Sequence, residues 1–274
     1  MASIFFSAKA DGDLLFKSKP TNADLKNSLI DADGLNEEIK INRLRFFLKH
    51  GIDPKRVVNC AGVHGTRIHT VTKNDLGSGA LDPDTRIKDT DGLITDILNS
   101  YLMVTGADCF PVLFSANDES NSGIPRYTTV IGVAHAGWRG IIGADTRRSK
   151  ADSRGSQNGI VPKMIEAFKE RFSVEPNDIR AWIGPGIRAC HFEVQNDVAP
   201  LFSDEFPTFI ENREGQTFIN LPEIIKDQLA KKGILSRNIN EHPDCTFCNA
   251  TDWYSWRRDK PRCIQANSFL IVKK

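Results

Sequence analysis

The stretch Thr128-Thr-Val-Ile-Gly-Val-Ala-His135-Ala-Gly-Trp-Arg-Gly140 decides how this chain is read. Its first half is an apolar, β-branched run of strand length. It then stops on His135 and two glycines, Gly137 and Gly140, where backbone can come close to a ligand. Two other stretches repeat the design: Gly62-Val63-His64-Gly65-Thr66 and Ala107-Asp108-Cys109-Phe110-Pro111. Each places one His or Cys at the mouth of a predicted strand. Zinc accepts imidazole nitrogen and thiolate sulfur, and three protein ligands leave a fourth tetrahedral position open, the arrangement of catalytic sites. His64, Cys109 and His135 are therefore candidate ligands of one metal ion. Taken singly each signal is weak, because a lone histidine is commonly a hydrogen-bonded structural residue and a lone cysteine a small buried hydrophobe. The same residues also permit a metal-free hydrolase or deamidase, with Cys109 as nucleophile and His135 or His64 as base.

Working outward, strand-like runs lie at 56–63, 67–71, 101–105, 112–115, 179–183 and 268–273, and a hairpin is expected from 3–7 and 13–19 around Asp11-Gly12-Asp13. Helical spacing predicts helices over 36–50, from Ile160 to Phe172, and from the N-cap-like Asn220 to Gly233. Strands dominate and no regular βαβ alternation is evident, so the fold class is α+β. The apolar pattern disappears over 144–159, a polar stretch expected as a loop insertion in a single domain, residues 1–274, and as a lid beside the third motif.

The 274 residues hold 36 Lys and Arg against 35 Asp and Glu. That balance offers no broad positive field for nucleic acid or an anionic membrane, so any anion site is local. No stretch approaches the roughly 20 apolar residues of a membrane span, and no N-terminal apolar run suits a signal peptide. A cytoplasmic location with reduced thiols is the expectation. Cys245-Thr-Phe-Cys248 lacks a second Cys-X-X-Cys and reads as a structural pair of thiols.

The series Val63-His-Gly-Thr66, Asp91-Gly-Leu-Ile-Thr95, Thr105-Gly-Ala-Asp-Cys-Phe-Pro-Val112, Ala134-His-Ala-Gly-Trp-Arg-Gly140, Ile183-Gly-Pro-Gly-Ile187 and Ser255-Trp-Arg-Arg-Asp259 resembles, in order, the family labelled polyphenol oxidoreductase or laccase-domain. Members are now regarded as purine nucleoside phosphorylases and adenosine deaminases. The resemblance implies an α/β/β/α sandwich with mixed, mainly antiparallel sheets, and zinc, or copper in older accounts, bound by His64, Cys109 and His135. The chain departs from the family at Gly62, where Gln is usual, and at Gly186-Ile187-Arg188-Ala189, where Ala-Ile-Gly-Pro is usual; both departures bear on substrate preference, and Gly62 and Arg188 leave open a catalytically silent metal-binding protein that keeps the scaffold. A four-copper laccase needs a blue-copper site plus a cluster of many further imidazoles, and this chain has six histidines and no His-X-His.

The implied chemistry assigns roles to other residues. Zinc lowers the pKa of a bound water, as hydrolytic deamination at C6 of adenine requires. By analogy with the nucleic-acid deaminases a carboxylate shuttles the protons, and Asp108 and Glu193 are the candidates. Phosphorolysis instead needs cations to hold phosphate against C1′. Arg139 is the foremost candidate, Arg188 the second and Arg67 a weaker third. Phe247, Trp253, Tyr254 and Trp256 are available to stack a purine or to fill the core. The expected partners are thus a purine nucleoside and phosphate.

Overall fold

The computed structural model describes residues 2–17, 32–117, 129–143, 158–261 and 263–273. In chain order the strands are β1 (Ala2–Phe6), β2 (Val57–Asn59), β3 (Ile68–Thr70), β4 (Gly92–Thr95), β5 (Tyr101–Gly106), β6 (Phe110–Ala116) and β7 (Val130–Ala136). They continue with β8 (Ile179–Ile183), β9 (Glu193–Val194), β10 (Ile210–Arg213), β11 (Gln216–Ile219), β12 (Ile239–Glu241) and β13 (Asn267–Lys273). The helices are α1 (Ala32–His50), α2 (Trp138–Ile142), α3 (Ile160–Phe172), α4 (Pro200–Ser203), α5 (Leu221–Lys231) and α6 (Trp256–Asp259).

The strands form a four-stranded sheet, β1-β13-β5-β2, a six-stranded sheet, β12-β8-β6-β7-β4-β3, and a small sheet, β10-β11-β9. Pairing is antiparallel except at β2–β5, β3–β4 and β8–β12. Period-two alternation of side chains explains the layering. Along β13, Phe269 and Ile271 face the inter-sheet core with Leu102 and Val104 of β5 and with Leu93, Leu113, Ile131 and Val133 of the larger sheet. Leu270 and Val272 face the other way, onto Phe46 and Phe47 of α1. On the outer face of the larger sheet, Met164 and Phe168 of α3 and Ile224 and Ile225 of α5 close the fourth layer. An α/β/β/α sandwich results, the architecture that the resemblance implies.

One local expectation fails for an identifiable reason. The hairpin expected from 3–7 and 13–19 does not form: β1 pairs with β13 through Ile4 and Ile271, residues 13–17 form no strand, and 18–19 lie outside the described residues. Leu14 and Phe16 are instead buried beside Arg43 of α1, whose fully buried guanidinium donates to the carbonyls of Leu14, Gly79 and Ala80 and stacks 4.0 Å over the Phe16 ring. On α1 the helical spacing holds, but Leu44 and Leu48 face solvent while Ile39, Phe46 and Phe47 are buried. The proposed lid falls mostly outside the described residues; helix α3 starts at Ile160, just after it. No helix among the described residues is long and apolar enough to cross a membrane.

Candidate functional site

Adjacent strands β6, β7 and β4 bring the site together at one end of the larger sheet. Register pairs Phe110 with Ala136 and Pro111 with His135, so Cys109, immediately before β6, lies beside the end of β7. On the other side Gly92 pairs with Ala134, which sets Asp91 next to His135. The backbone N–H of His135 donates to Asp91 O at 2.7 Å. His64 arrives from the loop between β2 and β3, its backbone left-handed at φ 60. That turn is held from within: the wholly buried Asp91 carboxylate accepts the N–H groups of Val63, His64 and Gly65 at 2.8–3.1 Å.

One donor atom from each of His64, Cys109 and His135 lies within 4.8 Å of the others. The two imidazole rings meet edge to face with centroids 4.9 Å apart. Gly137 makes this closeness possible, because a Cβ there would come within 2.7 Å of His64 Cδ2 and 3.0 Å of Cys109 Sγ. Gly62 packs on the other flank: a Cβ there would fall 2.9 Å from Asp91 Oδ1 and 3.0 Å from His135 Nδ1. Exposure grades inward, from exposed His64 through half-buried Cys109 to buried His135.

His135 Nδ1 is 2.9 Å from Asp91 Oδ1, which leaves Nε2 for the cluster and fixes the ring, the usual outer-shell arrangement of a metal-binding histidine. Burial pushes the Cys109 thiol up, but the His135 and His64 imidazoles outweigh it and bring it down to about 6. Burial likewise pushes His135 down, and the Cys109 thiolate and the Asp91 carboxylate reverse this and raise it. Burial also pushes Asp91 up, while His135 and the N–H groups of Val63 and Gly65 bring its pKa below the ordinary value. Two nitrogens and one thiolate-prone sulfur suit a borderline divalent metal. Among the described residues no carboxylate joins the group, so a tetrahedral ion held there would keep an open position.

The other candidate residues have different surroundings. Asp108, at φ 83, is buried with both oxygens engaged, by Thr246 Oγ1 at 2.7 Å and by the backbone N–H of Arg257 at 2.7 Å. These two bonds anchor the segment before Cys109. Glu193 accepts from Gln216 Nε2 at 3.0 Å on the small sheet and is absent from the cluster. Arg188, expected as a phosphate ligand, forms an ion pair with Glu241 and donates to the carbonyls of His242 and Asp244. Its charge is committed to β12. Arg139 is exposed on α2, two residues beyond Gly137, its guanidinium 4.1 Å over the Trp138 ring.

Of the aromatic candidates, Trp253 is buried with Nε1 donating to Asp244, Phe247 stacks on His191 and Tyr254 is buried. Trp256 remains half exposed at the start of α6. The remaining histidines lie apart from the site. His50 packs on Phe46, His69 faces Asp75, His191 lies on Phe247 and His242 lies among Trp182 and Trp253. Asp91 opens the Asp-Gly-Leu-Ile-Thr motif of the resemblance, but nothing along the chain shows that it meets His135; that follows from the pairing of Gly92 with Ala134. The thiol pair Cys245 and Cys248 gains company that the linear motif hides, since Cys190 and His191 join it.

Residues 18–272 match the family described as multi-copper polyphenol oxidoreductase laccase. The purine nucleoside phosphorylase YlmD of Geobacillus stearothermophilus is 32% identical over 249 residues, covering 89% of this chain and 82% of that protein. The purine nucleoside phosphorylase YfiH of Escherichia coli is 25% identical over 240 residues, covering 86% and 82%. Among solved structures, the hypothetical protein YfiH of Bacillus licheniformis is similar with a TM-score of 0.73 at 30% identity, covering 87% of this chain and 82% of that one. Because the family match covers residues 18–272, nearly the whole chain and all three His or Cys motifs, the chain belongs to the multi-copper polyphenol oxidoreductase laccase family.

Proposed function

We propose that this protein is a zinc-dependent purine nucleoside phosphorylase acting on adenosine- or inosine-type nucleosides. The observation that carries the reading is the convergence of His64, Cys109 and His135 with Asp91 bound to His135 Nδ1, in a chain similar to proteins named purine nucleoside phosphorylase. A zinc ion held by these three residues would supply a Lewis-acid centre with one open position. In phosphorolysis a phosphate oxygen bonds to C1′ as the bond from C1′ to the purine nitrogen breaks. The electron pair leaves with the base, which takes up a proton, and ribose 1-phosphate remains. Arg139 is the cation we assign to phosphate, and Asp91 keeps His135 in one tautomer and orientation. Asp108 grips the Cys245–Cys248 loop and so steadies Cys109.

Hydrolytic deamination of adenosine ranks second at the same site. Its proton transfers call for a carboxylate, and among the described residues none joins the cluster. Oxidation by several coppers is disfavoured because only two of the six histidines meet. A further reading, a metal-free cysteine hydrolase or deamidase, is favoured by the depressed Cys109 thiol beside His135. Zinc content of the isolated protein separates it from the first reading.

The test is incubation with inosine or adenosine, with and without phosphate, followed by chromatography. Free base and ribose 1-phosphate that form only with phosphate support phosphorolysis. Inosine from adenosine without phosphate supports deamination, and no product from any purine nucleoside overturns both.

A further inference from the structure

Outside the proposed reaction site, four metal-binding side chains from two distant segments converge. Cys190 and His191 lie between β8 and β9, and Cys245 and Cys248 lie on the loop after β12. One donor atom from each is within 4.8 Å of all the others. Cys190 Sγ is 3.7 Å from Cys248 Sγ, and Cys248 Sγ is 3.3 Å from His191 Nδ1. A tetrahedron with metal–sulfur bonds of ~2.3 Å and metal–nitrogen bonds of ~2.0 Å has edges of about 3.8 Å between sulfurs and about 3.5 Å between sulfur and nitrogen. Both separations already approach those edges.

We propose that Cys190, His191, Cys245 and Cys248 form a structural zinc site of the Cys3His type that shares no ligand with His64, Cys109 and His135. Four protein ligands complete a tetrahedral sphere and leave no position for substrate, which makes the site structural. Its surroundings suit that task. The backbone N–H of Arg188 points at Cys245 Sγ at 3.5 Å, a donor for a ligating thiolate. The His191 ring lies flat on Phe247, with centroids 3.9 Å apart at 14°, so its rotation is restricted. A β-bridge between Gly186 and Cys245, and the Thr246 N–H donating to Gly186 O at 3.1 Å, already join the two segments. Cys190 and Cys248 are exposed, which gives an ion a path from solvent. On binding, the three S–H bonds break, the protons pass to solvent and no electrons change hands.

The site also has a consequence for the rest of the molecule. Between its two loop cysteines lies Thr246, whose hydroxyl holds Asp108 next to Cys109. Zinc here would lock the loop that fixes one ligand of the triad. Arg258 reinforces the same loop by donating to the carbonyls of Thr246 and Phe247 at 2.7 and 2.9 Å.

The experiment is a metal count by native mass spectrometry on protein expressed with added zinc and purified with reductant. A C109A/H135A variant, which spares the four residues, is expected to keep about one zinc per chain. C190S/C248S is expected to lose about one zinc relative to the parent protein. C248H, which keeps a ligand, is expected to retain it, and this guards against a serine variant that fails to fold. A zinc-free C109A/H135A protein overturns the proposal. So does a folded C190S/C248S protein that keeps the zinc content of the parent.

Discussion

Asp91 Oδ1 lies 2.9 Å from Nδ1 of His135, on a carboxylate that also accepts the N–H groups of the loop carrying His64. One buried group thus sets two of the three candidate ligands. Asp91→Asn preserves the volume but turns one acceptor into a donor. Its expected effect is a loss of about 10–100-fold in zinc affinity, the range for outer-shell partners of metal-bound histidines. Competition against a chromophoric chelator measures it, and an unchanged affinity would mean that Asp91 supports the loop alone.

The Cys109 thiol carries a pH signature. Burial opposes its ionisation, but His135 and His64 prevail and hold the pKa at about 6. Because the folded value is depressed, the thiolate persists as pH falls from the alkaline side and is lost through about 6. In zinc-stripped protein, alkylation of Cys109 by iodoacetamide is expected to follow that midpoint, and added zinc to suppress it. A midpoint near the ordinary thiol value of about 8.5 would contradict the electrostatic account.

Gly137→Ala tests the close approach. The added methyl would meet His64 Cδ2 and Cys109 Sγ, so the ligands must separate. The expected outcome is loss of bound metal and activity, with a stability cost of about 1–3 kcal/mol typical of overpacking. A variant with unaltered metal content in mass spectrometry would show that the cluster tolerates the separation.

The two arginines should part ways. Arg139→Ala is expected to raise the KM for phosphate with little change in melting temperature. Arg188→Ala, which removes an ion pair with Glu241 and bonds to two carbonyls, is expected to cost about 1–3 kcal/mol in urea unfolding and to leave that KM unchanged. The reverse pattern would reassign the phosphate site to Arg188.

The candidate ligands were legible because each stands in a short motif beside a strand-like run, although β2 ends at Asn59 and leaves His64 in the loop that follows. Strand periodicity likewise indicated β5, β6, β7 and β13, whose opposite faces belong to different cores. Asp91 was legible only as the first residue of the Asp-Gly-Leu-Ile-Thr motif, and its bond to His135 depends on how β4 pairs with β7. The same limit applies to Cys190 and His191, which reach Cys245 and Cys248 only when the chain folds, and to Arg188, whose partners come from β12. Leu14 and Phe16 alternate as a strand would, but the buried Arg43 guanidinium takes up the Leu14 carbonyl.

The central claim is that phosphorolysis depends on metal held by His64, Cys109 and His135. The most direct measurement is the rate of ribose 1-phosphate formation from inosine and phosphate as zinc is returned to chelator-stripped protein, with C109A alongside. The account predicts that activity rises in step with zinc bound at these residues and that C109A stays inactive at every zinc level. Full activity in the stripped protein, or in C109A, would contradict it.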